Sequence, residues 1–237
     1  MSIALVAGGT SGIGLATARR LHERGYTVHV TGRGKERLDD VAASDPSLTG
    51  HQADGGDATA MGALASSLGT VDVLVVSLSG AEGMGPIDSL DLAMLRRAFD
   101  AKFWAHLTTV QAVLPYLASE GSITLLSAIT ARAAMAGTAG IGALNAAIEA
   151  LVKPLAVELA PRRVNAVSPG VVDTAWWSGF PAEVREGFFA QTAASIPSRR
   201  VATADDVAEV VTLAATNRNL TGTVLEADGG ARLVSLG

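Results

Sequence analysis

The chain contains no cysteine among its 237 residues. That excludes disulfides and thiolate metal sites and suits a cytoplasmic protein, and no metal is expected. Aromatic residues are few, at 4%, with only two tyrosines, Tyr26 and Tyr116. Charged residues make up just 17%, and the formal net charge of −5 argues against nucleic acid, whose phosphates need a basic surface. Hydrophobic residues reach 49%, yet no apolar run has membrane-spanning length, because Glu149 and Lys153 interrupt the richest stretch. A first strand from Ile3 leaves no room for a leader peptide. Internal repeats and linkers are also missing, so the length points to one α/β domain over residues 1–237.

What is present begins with an apolar run, Ile3 to Ala7, of strand length. It enters the turn Gly8-Gly9-Thr10-Ser11-Gly12-Ile13-Gly14 and leaves as a helix with Ile13, Leu15, Ala16 and Leu21 at helical spacing. A strand that turns into a helix at glycines presents backbone N–H groups and the positive end of the helix dipole to an anion. Strand-like and helix-like patterns then alternate along the chain, which predicts a parallel sheet with helices on both faces.

The spacing Gly-x-x-x-Gly-x-Gly resembles the short-chain dehydrogenase/reductase family, and the likeness extends over nearly the whole sequence. The resemblance implies a Rossmann-type doubly wound α/β sandwich with a seven-stranded parallel sheet. It also implies a nicotinamide dinucleotide held by Gly8, Thr10, Ser11, Gly12, Ile13 and Gly14. At the end of the second strand, Thr27 to Thr31, stand Gly32 and Arg33, with no carboxylate before Glu36. A cation there accommodates a 2′-phosphate where an acid would bind the free ribose hydroxyl, so NADP(H) is favoured over NAD(H). Asp54 and Gly55, after the third strand, match the family's adenine contact, although aspartate is also a common turn residue. Ser77-Leu78-Ser79-Gly80 replaces the usual Asn-Asn-Ala-Gly after the fourth strand and puts Ser79 beside the cofactor. Pro169, Gly170, Val172 and Thr174 match the loop that meets the nicotinamide carboxamide and the phosphates.

The family's catalytic tetrad is where the sequence departs. Ser127, at the end of the fifth strand, matches the serine that positions the substrate oxygen. The asparagine's place, in a helix expected from about Asp91 to Tyr116, holds Lys102. The Tyr-x-x-x-Lys positions on the helix from about Thr138 to Leu159 hold Ile141 and Asn145. Isoleucine neither gives nor takes a proton. Lysine and asparagine have changed helices, so Lys102 is a candidate for the missing cation and proton donor, with Asn145 bonded to it. A lysine packed among Phe99, Phe103 and Trp104 needs a partner or water, or else snorkels to the surface.

Half of the aromatic residues, Trp176, Trp177, Phe180, Phe188 and Phe189, fall in the segment that forms a mobile substrate lid in the family. They predict an apolar or aromatic small-molecule substrate, or else packing of a short helix or a subunit contact. The sequence therefore reads as an NADP(H)-dependent oxidoreductase with an altered tetrad. The alternative is a dinucleotide-binding pseudo-enzyme, a sensor or subunit partner without redox turnover. The resemblance adds a homodimer or homotetramer, paired through the helices of Lys102 and Ile141.

Overall fold

The computed structural model describes residues 2–80 and 82–234. Seven strands form one sheet: β1 (Ile3–Ala7), β2 (Thr27–Gly32), β3 (Leu48–Gln52), β4 (Val71–Val76), β5 (Leu117–Leu126), β6 (Arg163–Pro169) and β9 (Val224–Ala227). Their order is β3-β2-β1-β4-β5-β6-β9, and every pairing is parallel. The chain steps outward from β1 to β3 and then crosses back to β4. That reversal makes the carboxyl ends of β1 and β4 the switch point at which open α/β sheets bind ligands. Strands β7 (Val172–Asp173) and β8 (Ala202–Thr203) form a separate two-residue ladder.

Burial on both faces explains the continuous apolar strands. In β1, Leu5 and Ala7 join a core with Met61, Val110 and Ile148, from α3 (Ala58–Leu68), α5 (Ala105–Val113) and α6 (Ala139–Glu158). Ala4 and Val6 join the opposite core with Leu21 of α1 (Gly12–Glu23) and Val207 and Val211 of α8 (Ala204–Thr216). Helix α2 (Lys35–Ser44) packs Val41 on that second side. By length and composition α6 could cross a bilayer, but its stripe of Leu144, Ile148 and Val152 is buried against the sheet. Local signals set several helix starts. Asp57 and Asp91 each accept two amides at the head of α3 and α4 (Leu92–Phe99), and Thr203 with Asp206 forms a full capping box on α8.

The segment expected as one helix from Asp91 to Tyr116 is divided. Helix α4 gives way to a π turn at Asp100–Trp104, followed by α5 and a 3₁₀ turn at Leu114–Tyr116. Hydrophobic periodicity marks which face is apolar but does not register one extra residue in a turn. Such π bulges recur at functional sites, and Lys102 lies buried inside this one.

Candidate active site

The nucleotide turn is pinned at its base, where the amides of Gly8 and Gly9 both donate to the Thr31 carbonyl of β2 at 3.2 and 3.1 Å. Gly14 lets α1 close onto that base, since a Cβ there would stand 2.2 Å from the Gly8 oxygen. Gly12 has φ +51°, and a Cβ on it would meet only the Thr174 side chain, at 3.4 Å. The loop after β6 is thereby brought against the glycine turn, leaving a cradle between Gly12 and Thr174 that a side chain would fill. Ser11 heads α1 without a side-chain cap, and no acid stands in the first turn, so the leading amides are left for an outside anion. Thr10 lays its methyl against Gly32, and Ile13 packs its side chain on the core while offering its backbone. These features fit a dinucleotide pyrophosphate.

Around the turn, Arg33 is exposed and its guanidinium has no partner among the described residues. Lys35 is instead paired with Asp39 at 2.8 Å. Asp54 is exposed and uses one carboxylate oxygen to accept the Gly56 amide at 2.9 Å, a turn-forming role. The Gly55 carbonyl accepts from Thr109 Oγ1 at 2.9 Å. Ser79 is exposed, and its hydroxyl donates to the adjacent Gly80 carbonyl at 3.2 Å. Pro169 ends β6, the Gly170 amide donates to the Ala227 carbonyl at 3.1 Å, and Val172 is buried on β7.

Lys102 does not snorkel. Only 9% of its surface is exposed, and its Nζ donates to Asn145 Oδ1 at 2.7 Å and to the Ser127 carbonyl at 3.3 Å. Burial favours the neutral amine and lowers the ammonium from 10.5 to about 8. The third ammonium hydrogen has no acceptor among the described residues. One turn on, His106 is fully buried and its Nδ1 stands 2.7 Å from the Lys102 carbonyl. A carbonyl only accepts, so Nδ1 carries the proton. Burial first, and the neighbouring Lys102 second, push His106 down to about 3, which keeps it neutral. Its Nε2 finds no partner among the described residues.

Asn145 joins these groups to the helix that carries Ile141. Its Nδ2 donates to the Ile141 carbonyl at 3.0 Å and to Thr130 Oγ1 at 2.9 Å. Ile141 itself is half-buried on the same face. Ser127 behaves differently from the resemblance. Its carbonyl faces Lys102, but its hydroxyl donates to Glu149 Oε1 at 2.6 Å. Glu149 Oε2 in turn accepts from Arg132 Nε at 2.8 Å, and Arg132 also pairs with Glu226. The structure therefore brings Lys102, Asn145 and the Ser127 backbone together, with the Ser127 hydroxyl drawn aside by a carboxylate. Sequence reasoning missed Thr130, His106 and Glu149. His106 alone left a trace, being four residues from Lys102 and so on the same helical face.

The predicted lid is a set of mutually packed rings spanning a 3₁₀ turn and α7 (Ala182–Ser195). Trp177 lies 5.1 Å from Phe188, 5.4 Å from Phe189 and 4.7 Å from Trp176 between ring centroids. Trp176 Nε1 donates to the Gly80 carbonyl at 3.3 Å and Trp177 Nε1 to the Val172 carbonyl at 3.0 Å. The cluster thus rests on the loop that follows β4 and on β7.

A doubly wound parallel sheet with a glycine cradle at its switch point defines a dinucleotide-binding α/β protein. The family profile described as Enoyl-(Acyl carrier protein) reductase matches residues 7–232. A cis-4-hydroxycyclohexanecarboxylate dehydrogenase of Sinomonas cyclohexanicum is 35% identical, over 96% of this chain and 95% of that protein. The human dehydrogenase/reductase SDR family member 4 is 32% identical, over 73% and 67% of the respective chains. A solved small-chain dehydrogenase in complex with NADPH superposes with a TM-score of 0.86 at 35% identity, covering 98% of this chain and 99% of the other. The chain belongs to the short-chain dehydrogenase/reductase family of oxidoreductases.

Proposed function

We propose that this protein is an NADP(H)-dependent oxidoreductase acting on an apolar carbonyl or alcohol, with Lys102 carrying the acid–base role that a tyrosine usually has. The observation that carries this reading is the buried Lys102 ammonium, tied to Asn145 and lowered to about 8. A nearly fully desolvated lysine without a carboxylate partner is costly to maintain, and a value near neutrality suits a general acid. The dinucleotide would lie on the cradle of Gly8, Thr10, Ser11, Gly12, Ile13 and Gly14, with Arg33, Asp54, Gly55, Ser79, Pro169, Gly170, Val172 and Thr174 along its length. When bound, the nicotinamide supplies or removes the hydride. Lys102, or a water held by it, gives the proton to the substrate oxygen and takes it back in the reverse direction. The backbone of Ser127 and the side chain of Asn145 orient the ammonium.

Preference for NADP(H) rests on the unpaired Arg33, and the solved relative holding NADPH supports it. Arg33→Ala is expected to raise the Kd for NADPH by about tenfold or more, from loss of a charge-assisted phosphate contact worth roughly 1.5–3 kcal/mol. Fluorescence titration should show the Kd for NADH unchanged, and equal losses for both nucleotides would count against a 2′-phosphate contact.

The aromatic cluster suits an apolar ring, and the relative named for cis-4-hydroxycyclohexanecarboxylate acts on a ring alcohol. The test is NADPH absorbance decay over 4-oxocyclohexanecarboxylate, other ketones, quinones and imines, beside an Ile141→Tyr/Asn145→Lys double variant. Turnover by wild type supports the Lys102 relay, whereas turnover by neither protein leaves a binding protein without redox activity. In the same reading the protein works in the cytoplasm as a homodimer or homotetramer. Leu92, Trp104 and Val157 are 55–81% exposed on α4, the π turn and α6, the elements through which the family resemblance implies pairing. Trp104→Glu should shift the sedimentation coefficient toward a smaller species, and an unchanged value would place the interface elsewhere.

A further inference from the structure

We infer that Thr130 is the residue that donates a hydrogen bond to the substrate oxygen. This inference rests on the redox reading above and supplies a part of it that Ser127 does not provide. As an ammonium, Lys102 can only donate towards Asn145, so the atom facing it at 2.7 Å is the amide oxygen. The Ile141 carbonyl is always an acceptor, so the atom facing it at 3.0 Å must be the amide nitrogen. The two partners fix the Asn145 amide without ambiguity. One Nδ2 hydrogen goes to Ile141 and the other to Thr130 Oγ1 at 2.9 Å. Thr130 is therefore an acceptor in that bond, and its own hydroxyl hydrogen has no acceptor among the described residues.

Ser127 is in the opposite state. Its hydrogen is given to the Glu149 carboxylate at 2.6 Å, a short charge-assisted bond. Thr130 is half-exposed, whereas Ser127 is 3% exposed. Thr130 also sits in the 3₁₀ turn Ile129–Ala131, just past the carboxyl end of β5, where open α/β sheets place their ligands. The sequence ammonium, amide, hydroxyl is a chain of donors that polarise one another in the same direction. It ends on a free O–H that strengthens as negative charge develops on a substrate oxygen. No proton moves along this chain, because each link keeps its own hydrogen. The proton comes from the ammonium hydrogen of Lys102 that no described residue accepts, directly or through one water.

The test compares wild type, Thr130→Val and Thr130→Ser in NADPH-dependent reduction of 4-oxocyclohexanecarboxylate and of whichever ketones and quinones wild type turns over. Tryptophan fluorescence measures the Kd for NADPH and thermal unfolding measures Tm in parallel. Thr130→Val should lose about 10²–10³-fold in kcat, the usual loss for one oxyanion donor. Its NADPH affinity should be unchanged, and Thr130→Ser should keep most of the rate. Equal kcat for wild type and Thr130→Val overturns the assignment while leaving the redox reading intact. Equal losses in both variants also overturn it, since serine keeps the hydroxyl. A wild type that binds NADPH but reduces none of the carbonyls overturns the redox reading and the donor with it.

Discussion

Lys102→Met is expected to lower kcat for carbonyl reduction by about 10²–10⁴-fold, the usual contribution of a positioned general acid. That is roughly 3–5 kcal/mol of transition-state stabilisation at about 1.36 kcal/mol per decade. Methionine retains the length and apolar stem of lysine, so the buried volume is largely kept. It leaves Asn145 Oδ1 without its donor, which costs about 1–3 kcal/mol of stability, so Tm is measured alongside. The pH profile separates chemistry from folding. In wild type the ammonium that serves as acid loses its proton at about 8. Reduction should hold steady below that pH and fall tenfold per unit above it, while alcohol oxidation should rise to a plateau across the same range. His106 stays neutral throughout, since its own titration lies near 3. In Lys102→Met the inflection near 8 should vanish. A variant that keeps both the wild-type rate and the inflection would remove Lys102 from the mechanism.

The second large effect is expected at Gly14. Gly14→Ala places a methyl 2.2 Å from the Gly8 carbonyl oxygen and 3.2 Å from the Gly9 Cα, with only backbone there to yield. Either α1 moves away from β1 or the turn opens, and both displace the amides that face the cradle. Overpacking of this kind costs about 1–3 kcal/mol, which lowers Tm by roughly 2–4 °C per kcal/mol for a chain of this size. Loss of the aligned amides should raise the Kd for NADPH by about 100-fold, near 2.7 kcal/mol. Calorimetry and thermal unfolding check the two effects together. A variant with wild-type affinity would mean that the glycine turn does not hold the nucleotide.

Much of this was legible before the fold was known. The strand, glycine turn and helix of residues 3–24 carry their own physics, because apolar periodicity and glycine spacing are local properties. The parallel sheet with helices on both faces followed from alternation of buried runs with helical patterns, and its seven strands from the family resemblance. The meeting of Lys102 with Asn145 was inferred from an exchange of residue types between two helices, and the two groups lie 2.7 Å apart. The rest was hidden for physical reasons. The π turn depends on one extra residue in a helix whose apolar face looks unbroken. The Ser127 hydroxyl is diverted by Glu149, a residue 22 positions away that the sequence presented only as a charge interrupting an apolar stretch. Thr130 is one of many threonines, and only the orientation of the Asn145 amide singles it out. That Nε2 of His106 has no partner among the described residues could not be foreseen either, since a spacing of four residues says which face is shared and not which atoms are satisfied.

Isothermal titration of wild type with NADPH and NADH bears most directly on whether this scaffold still grips a phosphorylated nicotinamide nucleotide while hydrocarbon stands at position 141. The expected result is saturable heat with NADPH and weaker binding of NADH. No heat with either nucleotide at millimolar concentration would contradict it.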